Sequence, residues 1–303
     1  MTDIVILSGA RTAIGAFGGS LSGVAPIDLA TVATRAALAR AGVDAAQVGH
    51  VVFGHVINTE PRDMYLSRVA AMQAGVRETV PAMNVNRLCG SGAQAIVSAM
   101  QTLTLGDADF ALAGGAECMS RSPYLLQSAR WGAKMGDVGA QDMMLGALNC
   151  PFGTGHMGVS AENVAAKHRV SRADQDGFAL ESRRRARVAL AEGRFADQIV
   201  AVPVVQRRET VDFATDKHPK ATTAEALAGL RPVFQKYGTV TAGNASGIND
   251  GAAALVLARG DAAVRAGLSP KFRLLGYAHA GVRPDVIPDA LWADFFCPLP
   301  GCD

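Results

Sequence analysis

Apolar positions in the first third of the chain alternate between short continuous runs and longer runs with helical spacing. The continuous runs predict strands at 3–8, 50–58, 81–86 and 109–113. The helical spacing predicts helices at 26–41, 62–74 and 92–105, and each of these is followed by a glycine suited to ending a helix. Strands that alternate with helices favour a largely parallel α/β sheet covered on both faces.

The pattern changes in the middle of the chain. Residues 121–151 are rich in Gly, Met and Ser and have weak periodicity. The elements predicted beyond them are helices at 160–169 and 172–192, a strand at 198–206 and a polar loop at 207–223. Ser171 suits the N-cap of the second helix. We therefore expect residues 120–245 to form an inserted loop domain over the sheet.

The α/β pattern resumes near residue 239. The elements predicted there are strands at 252–258 and 272–280 and a helix at 261–266. We assign residues 1–119 and 246–270 to one α/β domain and residues 271–286 to the start of another. Residues 284–303 contain four prolines and have no clear period, and residues 287–303 form a tail that looks unrelated to the rest of the chain.

Composition and charge exclude several classes of function. Hydrophobic residues make up 49% of the 303 positions, and the net charge is only +2, with no basic block that would track a nucleic acid. No run is long and apolar enough to cross a bilayer, and no N-terminal signal is visible. Five cysteines at irregular spacings suggest neither a disulfide framework nor a zinc cluster. These features indicate a reduced, cytoplasmic protein without a metal site.

The strongest chemical signal is Cys89, which lies in the run Asn-Arg-Leu-Cys-Gly-Ser-Gly between a predicted strand and a predicted helix. At such a junction the thiol faces the carboxyl end of the sheet and the positive end of the helix dipole, which favours the thiolate. Gly90 and Gly92 lack side chains, so a substrate could approach the backbone N–H groups. The alternative is a buried cysteine beside a glycine turn.

Other segments carry weaker signals. His156, with glycines at 155 and 158, could bind a polar ligand or act as an acid or base, although most loop histidines are simply hydrogen-bonded. Residues 241–251 are rich in Asn, Ser and Gly, and they could hold a ligand amide or form an Asx turn. Gly114 and Gly115 permit tight packing or the close approach of a ligand at a strand end. We expect Cys118 to be structural.

Taken together, these runs resemble the thiolases, the acetyl-CoA C-acyltransferases, from residue 3 to about residue 285. The matching runs are 8–15, 86–92, 113–117, 156–158 with 161–163, and 238–251. Within the family, residues 59–65 look most like broad-range bacterial β-ketothiolases. The resemblance implies two similar βαβαβαββ halves stacked as α/β/α/β/α layers, with a loop domain inserted in the first half.

The resemblance also implies roles for particular residues. It makes Cys89 the nucleophile that accepts the acyl group, and it places His156, Met157 and Ser246 along the pantetheine part of coenzyme A (CoA). It brings Lys220 near the CoA nucleotide, where thiolases often carry an arginine; lysine keeps the charge but loses the bidentate fork. The implied substrates are CoA thioesters, with no permanently bound cofactor, and the implied assembly is a homo-oligomer.

This sequence departs from the family pattern at its C-terminal end. The family's Asn-Glu-Ala-Phe, Gly-His-Pro and Cys-x-Gly-Gly-Gly runs, which supply a base, an acid/base cysteine and most of both oxyanion holes, do not occur here. From about Ile287 the chain no longer resembles the family. We therefore expect a C-terminally truncated thiolase whose second half is largely missing, and whose turnover is lost or very slow.

Two alternatives belong to other classes. A ketoacyl-synthase-like condensing enzyme would use a similar cysteine, but the long insertion with His156 favours CoA over an acyl carrier. A non-catalytic remnant that still binds CoA, or pairs with an intact subunit, would explain the missing motifs.

Overall fold

A computed structural model describes residues 3–289 of the chain. The strands are β1 Ile4–Thr12, β2 Gly15–Ala16, β3 His50–Gly54, β4 Ala82–Val85, β5 Phe110–Cys118, β6 Tyr124–Leu125, β7 Gln141–Asp142, β8 Asn149–Cys150, β9 Gly155–His156, β10 Ile199–Val200, β11 Val202–Gln206, β12 Glu209–Phe213, β13 Asn249–Arg259 and β14 Phe272–Leu274. The helices are α1 Pro26–Ala41, α2 Leu66–Gln73, α3 Ser91–Leu105, α4 Met143–Leu148, α5 Met157–His168, α6 Arg172–Ala191, α7 Ala224–Ala228 and α8 Gly260–Arg265.

The described residues form two compact units. The sheet unit comprises residues 3–144, 195–218 and 248–275. The loop unit comprises residues 145–194, 219–247 and 276–289. The domain boundaries predicted from the sequence remain a prediction, because these contact-based units do not test them.

The sheet unit is built on one mixed sheet with the strand order β10-β1-β13-β5-β3-β4; β14 pairs with β1, and β2 pairs with β13. Strands β5, β3 and β4 are mutually parallel, whereas β13 runs antiparallel to both β1 and β5. The expectation of a largely parallel sheet is therefore wrong at its centre. No single crossover helix connects β5 to β13, because a long insertion separates them, and the chain returns in the opposite direction.

Alternation along the strands fills both faces of this sheet. Val51 and Phe53 point toward the face that packs against α1 and α2. Val52 points the other way, into a second cluster that includes Ala95, Ala99 and Leu103 of α3. Each large apolar side chain buried in this way contributes about 1.5–3 kcal/mol. Helices on both faces make the sheet unit a three-layer α/β/α arrangement, as the sequence pattern predicts.

Several predicted boundaries agree closely with the structure. Helix α1 spans the predicted residues, begins with Pro26 in its first turn and ends at Gly42, whose φ of 65° permits the left-handed C-cap. Helix α6 begins after Ser171, whose Oγ accepts a hydrogen bond from the Asp174 N–H at 3.2 Å. Both helix boundaries are set by residues within one turn of the helix end, so they can be predicted without knowledge of contacts between distant parts of the chain.

Other predictions are wrong in detail. The predicted polar loop at 207–223 contains β12, which pairs with β11 as an antiparallel hairpin that turns at Arg207, with a φ of 58°. Phe213 of β12 is opposite Val202 and joins the core, but the other four residues of the strand are exposed, so no apolar alternation marks this strand in the sequence. The predicted strand at 272–280 is shortened to β14, and β5 continues through the glycine pair to Cys118.

The loop unit contains the β8–β9 hairpin and helices α5, α6 and α7. Few of its residues are apolar and buried, and long-range polar contacts connect its segments. Arg172 of α6 donates to the Leu227 carbonyl at 2.6 Å, and Asn163 of α5 donates to the Asp285 carbonyl at 2.9 Å. Residues 290–303, most of the tail predicted to be unrelated to the family, lie outside the described residues.

Candidate active site

Cys89 lies in the turn between the end of β4 and the start of α3, and its thiol is exposed. This is the strand–helix junction expected from the sequence. Because α3 is a helix of 15 residues, the partial positive charge at its N-terminus favours a negative group beside its first turn. An exposed cysteine at such a position is a candidate nucleophile.

Side-chain hydrogen bonds to the backbone hold the Cys89 turn. The Ser91 hydroxyl accepts from the Arg87 N–H at 2.9 Å and donates to the Leu88 carbonyl at 2.6 Å. The Asn86 side chain accepts from the Leu88 N–H at 3.0 Å. Ser91 is only 5% exposed, so solvent competes little for these bonds. The side chains of Asn86 and Ser91, which flank Cys89 in the sequence, therefore fix the backbone of the two residues that precede the candidate nucleophile.

The residue before Cys89 has a strained backbone. Leu88 has a φ of 47°, a left-handed conformation that costs a non-glycine residue roughly 1–2 kcal/mol. Its side chain is 55% exposed, so packing does not enforce the conformation. The bonds made by Ser91 and Asn86 offset this cost.

A glycine of the neighbouring strand lies beneath the first turn of α3. A Cβ added to Gly54, the last residue of β3, would lie 2.6 Å from the carbonyl carbon of Ser91. Any larger residue at this position would push α3 away from the sheet. By contrast, a Cβ added to Gly92 would meet no atom within 4 Å, so the space beside the first turn of α3 is open, as a substrate approaching the backbone requires.

Cys118 provides the contrast to Cys89. It is fully buried at the end of β5, and its thiol donates to the Leu21 carbonyl at 3.6 Å. Burial, with Asp250 nearby, raises the pKa of the Cys118 thiol to about 12. A thiol that stays protonated and inaccessible is a poor nucleophile. The structure therefore agrees with a structural role for Cys118.

His156 is the N-cap of α5 in the loop unit. Its Nδ1 accepts a hydrogen bond from the Gly158 N–H at 3.0 Å, so a neutral ring carries its proton on Nε2, which can donate to a ligand. The ring stacks on Phe234 with centroids 4.8 Å apart. A Cβ at Gly158 would collide with the Phe234 ring, so the glycine permits this packing. Sequence reasoning missed Phe234, because nothing in the local sequence links it to position 156.

The other predicted CoA contacts also fall in the loop unit. Met157 is the first residue of α5 and is half-buried. Lys220 is exposed between β12 and α7, and Ser246 is exposed near the end of the segment 239–247. His156 and Met157 are therefore neighbours at the start of one helix, and each of the other two residues presents a polar side chain to solvent.

Asn244 has a structural role within segment 239–247. Its side-chain oxygen accepts from the Thr241 N–H at 2.7 Å, and its amide group donates to Asp176 at 2.9 Å and to the Thr239 carbonyl at 3.1 Å. Asn244 therefore binds the backbone of its own segment, but not as an Asx turn, because the N–H that it accepts from lies three residues before it and not two residues after it. The exposed residue Ser246 is left as the segment's candidate for a ligand contact.

No helix within residues 3–289 is long and apolar enough to span a membrane. Over the same residues, no group of His, Cys, Asp and Glu side chains is arranged to hold a metal ion.

A mixed α/β sheet with an exposed cysteine between a strand and a helix defines an α/β protein with a candidate cysteine nucleophile. The family model for the thiolase N-terminal domain matches residues 4–261 of the chain. The chain belongs to the thiolase family of acyltransferases. Family membership sets aside the ketoacyl-synthase alternative.

The relatives and solved structures agree with this assignment. Beta-ketothiolase BktB of Cupriavidus necator is 60% identical over 284 residues, which cover 93% of this chain and 72% of that protein. Acetyl-CoA acetyltransferase of Escherichia coli is 46% identical over 287 residues, which cover 94% of this chain and 73% of that protein.

Among solved structures, the acetyl-CoA acetyltransferase of Bacillus anthracis superposes with a TM-score of 0.93 at 41% identity and covers 97% of this chain and 75% of that one. Human mitochondrial 3-ketoacyl-CoA thiolase in complex with CoA superposes with a TM-score of 0.90 at 36% identity and covers 94% of this chain and 72% of that one. The chain thus spans about three quarters of these relatives and has the thiolase fold over that length.

Proposed function

We propose that Cys89 accepts an acyl group from a CoA thioester. The single observation that carries this proposal is an exposed cysteine in a strained, hydrogen-bonded turn at the N-terminus of α3, in a chain of the thiolase family. The Cys89 thiolate attacks the thioester carbonyl carbon, a new C–S bond forms, and the bond to the CoA sulfur breaks. The products are an acyl-enzyme and CoA thiolate, which takes up a proton.

In the second half of the thiolase reaction, a base takes an α-proton from a second acyl-CoA, and the resulting carbanion attacks the acyl-enzyme. The Cys89 thiolate leaves, and a 3-ketoacyl-CoA is formed. In the reverse direction, CoA cleaves a 3-ketoacyl-CoA. We propose only the acyl-accepting half for this chain, because the family's Asn-Glu-Ala-Phe, Gly-His-Pro and Cys-x-Gly-Gly-Gly runs, which supply the base and the acid/base cysteine, do not occur in the sequence.

We further propose that the loop unit binds the CoA moiety. The Nε2–H of His156 is the candidate donor to the pantetheine amides, Met157 offers an apolar surface, and Ser246 offers a hydroxyl. The exposed ammonium of Lys220 suits the CoA phosphates as a single point charge. Homo-oligomerisation and a cytoplasmic location remain predictions from the sequence.

The proposal is tested by incubating the purified chain with acetyl-CoA and measuring its intact mass. We expect an acetyl adduct on the wild-type chain and none on Cys89→Ala, with Cys150→Ala as the matched cysteine control that retains the adduct. A folded wild-type chain that binds CoA but takes up no acetyl group would favour the non-catalytic CoA-binding alternative.

A further inference from the structure

Glu162 of α5 is a buried carboxylate that accepts every one of its observed hydrogen bonds from one short segment. The Thr239 N–H donates to both oxygens, at 2.9 and 2.8 Å, and the Thr239 hydroxyl donates at 2.9 Å. The Val240 N–H donates at 2.8 Å. Glu162 is only 6% exposed, and a buried charge persists only when such donors compensate for its lost hydration.

The backbone near this segment closes tightly around the carboxylate. A Cβ added to Gly238 would overlap Oε1 of Glu162, so only glycine leaves room for the side chain in its present position. Val240 is itself 6% exposed, so its N–H would have no ready access to water if the carboxylate were lost. The Glu162 carboxylate therefore fits closely against the backbone of residues 238–240.

This contact joins two parts of the loop unit that are far apart in sequence. Glu162 lies on the helix that begins with His156 as its N-cap and Met157 as its first residue. The segment that it binds continues from Val240 to Ser246. A second set of bonds fastens the same segment to α6, since Asn244 donates to Asp176 and Arg183 donates to the Gly243 carbonyl.

We infer that Glu162 is a positioning residue for CoA binding: its carboxylate fixes the start of α5 relative to segment 239–247, and thereby fixes His156 and Met157 relative to Ser246. The inference rests on the proposed CoA-binding role of the loop unit. Glu162 itself needs no contact with CoA in this account, because it acts through the backbone that it holds.

The test compares the affinity for CoA, measured by calorimetry, across full-chain variants. Glu162→Ala is expected to raise the Kd for CoA by about tenfold or more. Gly238→Ala displaces the carboxylate without removing it and is expected to weaken binding in the same way. Glu162→Gln keeps one oxygen able to accept from both backbone N–H groups, so its loss is expected to be smaller, about threefold.

Asp174→Ala is the matched control, because the Asp174 carboxylate caps α6 through Ser171 and does not touch segment 239–247. Its Kd for CoA is expected to stay within about twofold of the wild type. The rate at which iodoacetamide alkylates Cys89, which requires no CoA, is expected to be unchanged in every variant. That rate separates a positioning effect in the loop unit from general unfolding.

The outcomes are distinct. If the wild type binds CoA while Glu162→Ala and Gly238→Ala, both folded, bind equally well, the inference is overturned and the proposed function stands. The same conclusion follows if Asp174→Ala loses as much affinity as Glu162→Ala. If a folded wild-type chain does not bind CoA at all, the proposed CoA-binding role fails, and the inference fails with it.

Discussion

The Cys89 turn and segment 239–247 carry their candidate chemistry in different ways. Cys89 follows a strand of a sheet whose two faces are filled by apolar side chains, and its helix packs on that sheet through alanines and leucine. Segment 239–247 is held mainly by hydrogen bonds to Glu162, Asp176 and Arg183. The sheet unit thus fixes the strand and the helix beside its site by apolar burial and holds the turn itself with hydrogen bonds from Ser91 and Asn86. The loop unit fixes its segment mainly by buried polar contacts.

This difference predicts different responses to mutation. Apolar burial is spread over many side chains and contributes to the stability of a whole unit. A buried hydrogen bond supports a particular geometry, and removing one partner leaves the other unsatisfied. Changes in the apolar core should therefore act globally, whereas changes in the polar contacts of the loop unit should act locally.

The largest expected effect comes from Phe53, a fully buried core side chain of β3. Phe53→Ala is expected to lower the free energy of unfolding by about 3–5 kcal/mol, because it removes buried apolar surface and leaves a cavity. Urea denaturation measures this. The control is Phe178→Ala on α6, where the ring is 78% exposed and a change within about 0.5 kcal/mol is expected. Equal losses in the two variants would contradict a stability based on the sheet core.

A smaller effect is expected from Asn244→Ala. This change leaves the buried Asp176 carboxylate without one of its donors and should cost about 1–3 kcal/mol. The loss of stability should be confined to the loop unit. Hydrogen exchange should therefore speed up in segment 239–247, while exchange in β3 and β5 stays the same. Uniformly faster exchange throughout the chain would show that the polar contacts are not local.

The structure could be predicted from the sequence where the determining signal is local. The limits of α1, the N-cap Ser171 and the position of Cys89 between a strand and a helix all follow from short runs of residues. The antiparallel entry of β13 could not be predicted, because strand direction depends on how the long insertion returns to the sheet.

The same limit applies to the candidate site. Glu162 lies in a run that carries the family resemblance, but nothing in that run indicates what its carboxylate binds, because its partners Thr239 and Val240 lie far away along the chain. The stacking of His156 on Phe234 also depends on a contact between distant segments. The hydrogen bonds of Ser91 are local, but a serine in the first turn of a helix has many possible partners. Residue types therefore indicate candidate chemistry, and long-range packing decides its geometry.

Ser91→Ala tests the hydrogen bonds of the Cys89 turn, because the Ser91 hydroxyl contacts the backbone of both Arg87 and Leu88. Without that hydroxyl, Leu88 can relax from its left-handed conformation and move Cys89 away from the N-terminus of α3. We expect the alkylation of Cys89 by iodoacetamide at neutral pH to slow by about tenfold. Ser91→Thr, which keeps a hydroxyl, should preserve most of the rate.

The matched control for that experiment is Ser98→Ala, further along α3, whose hydroxyl accepts from the Gln94 side chain. Iodoacetamide should alkylate Cys89 in Ser98→Ala as fast as in the wild type at every pH. A Ser91→Ala rate that also matches the wild type across the pH range would show that the serine does not position the nucleophile.

The smallest expected effect is a pH dependence from the Arg11–Asp216 pair of the sheet unit. Burial alone would raise the pKa of Asp216, but hydrogen bonds from the Arg11 guanidinium at 2.8 and 2.9 Å and from the Ile14 N–H at 2.7 Å outweigh it and lower the pKa. A carboxyl whose pKa is lower in the folded state stabilises the fold above its unfolded-state pKa, and this contribution disappears as the pH falls through the folded-state value.

Melting temperatures measured from neutral to strongly acidic pH should therefore fall less steeply for Asp216→Asn than for the wild type. Parallel curves for the two proteins would exclude a contribution from this pair to the acid sensitivity.

The most direct test of the central claim is whether an acetyl group on Cys89 can return to CoA. The chain is acetylated with acetyl-CoA and freed of small molecules, and the modified peptide is located by mass spectrometry before and after free CoA is added. We expect acetyl on the peptide that contains Cys89, and we expect its loss, with regeneration of acetyl-CoA, when CoA is added. Acetyl on another residue, or an adduct on Cys89 that CoA cannot discharge, would contradict the assignment of Cys89 as the acyl-accepting nucleophile.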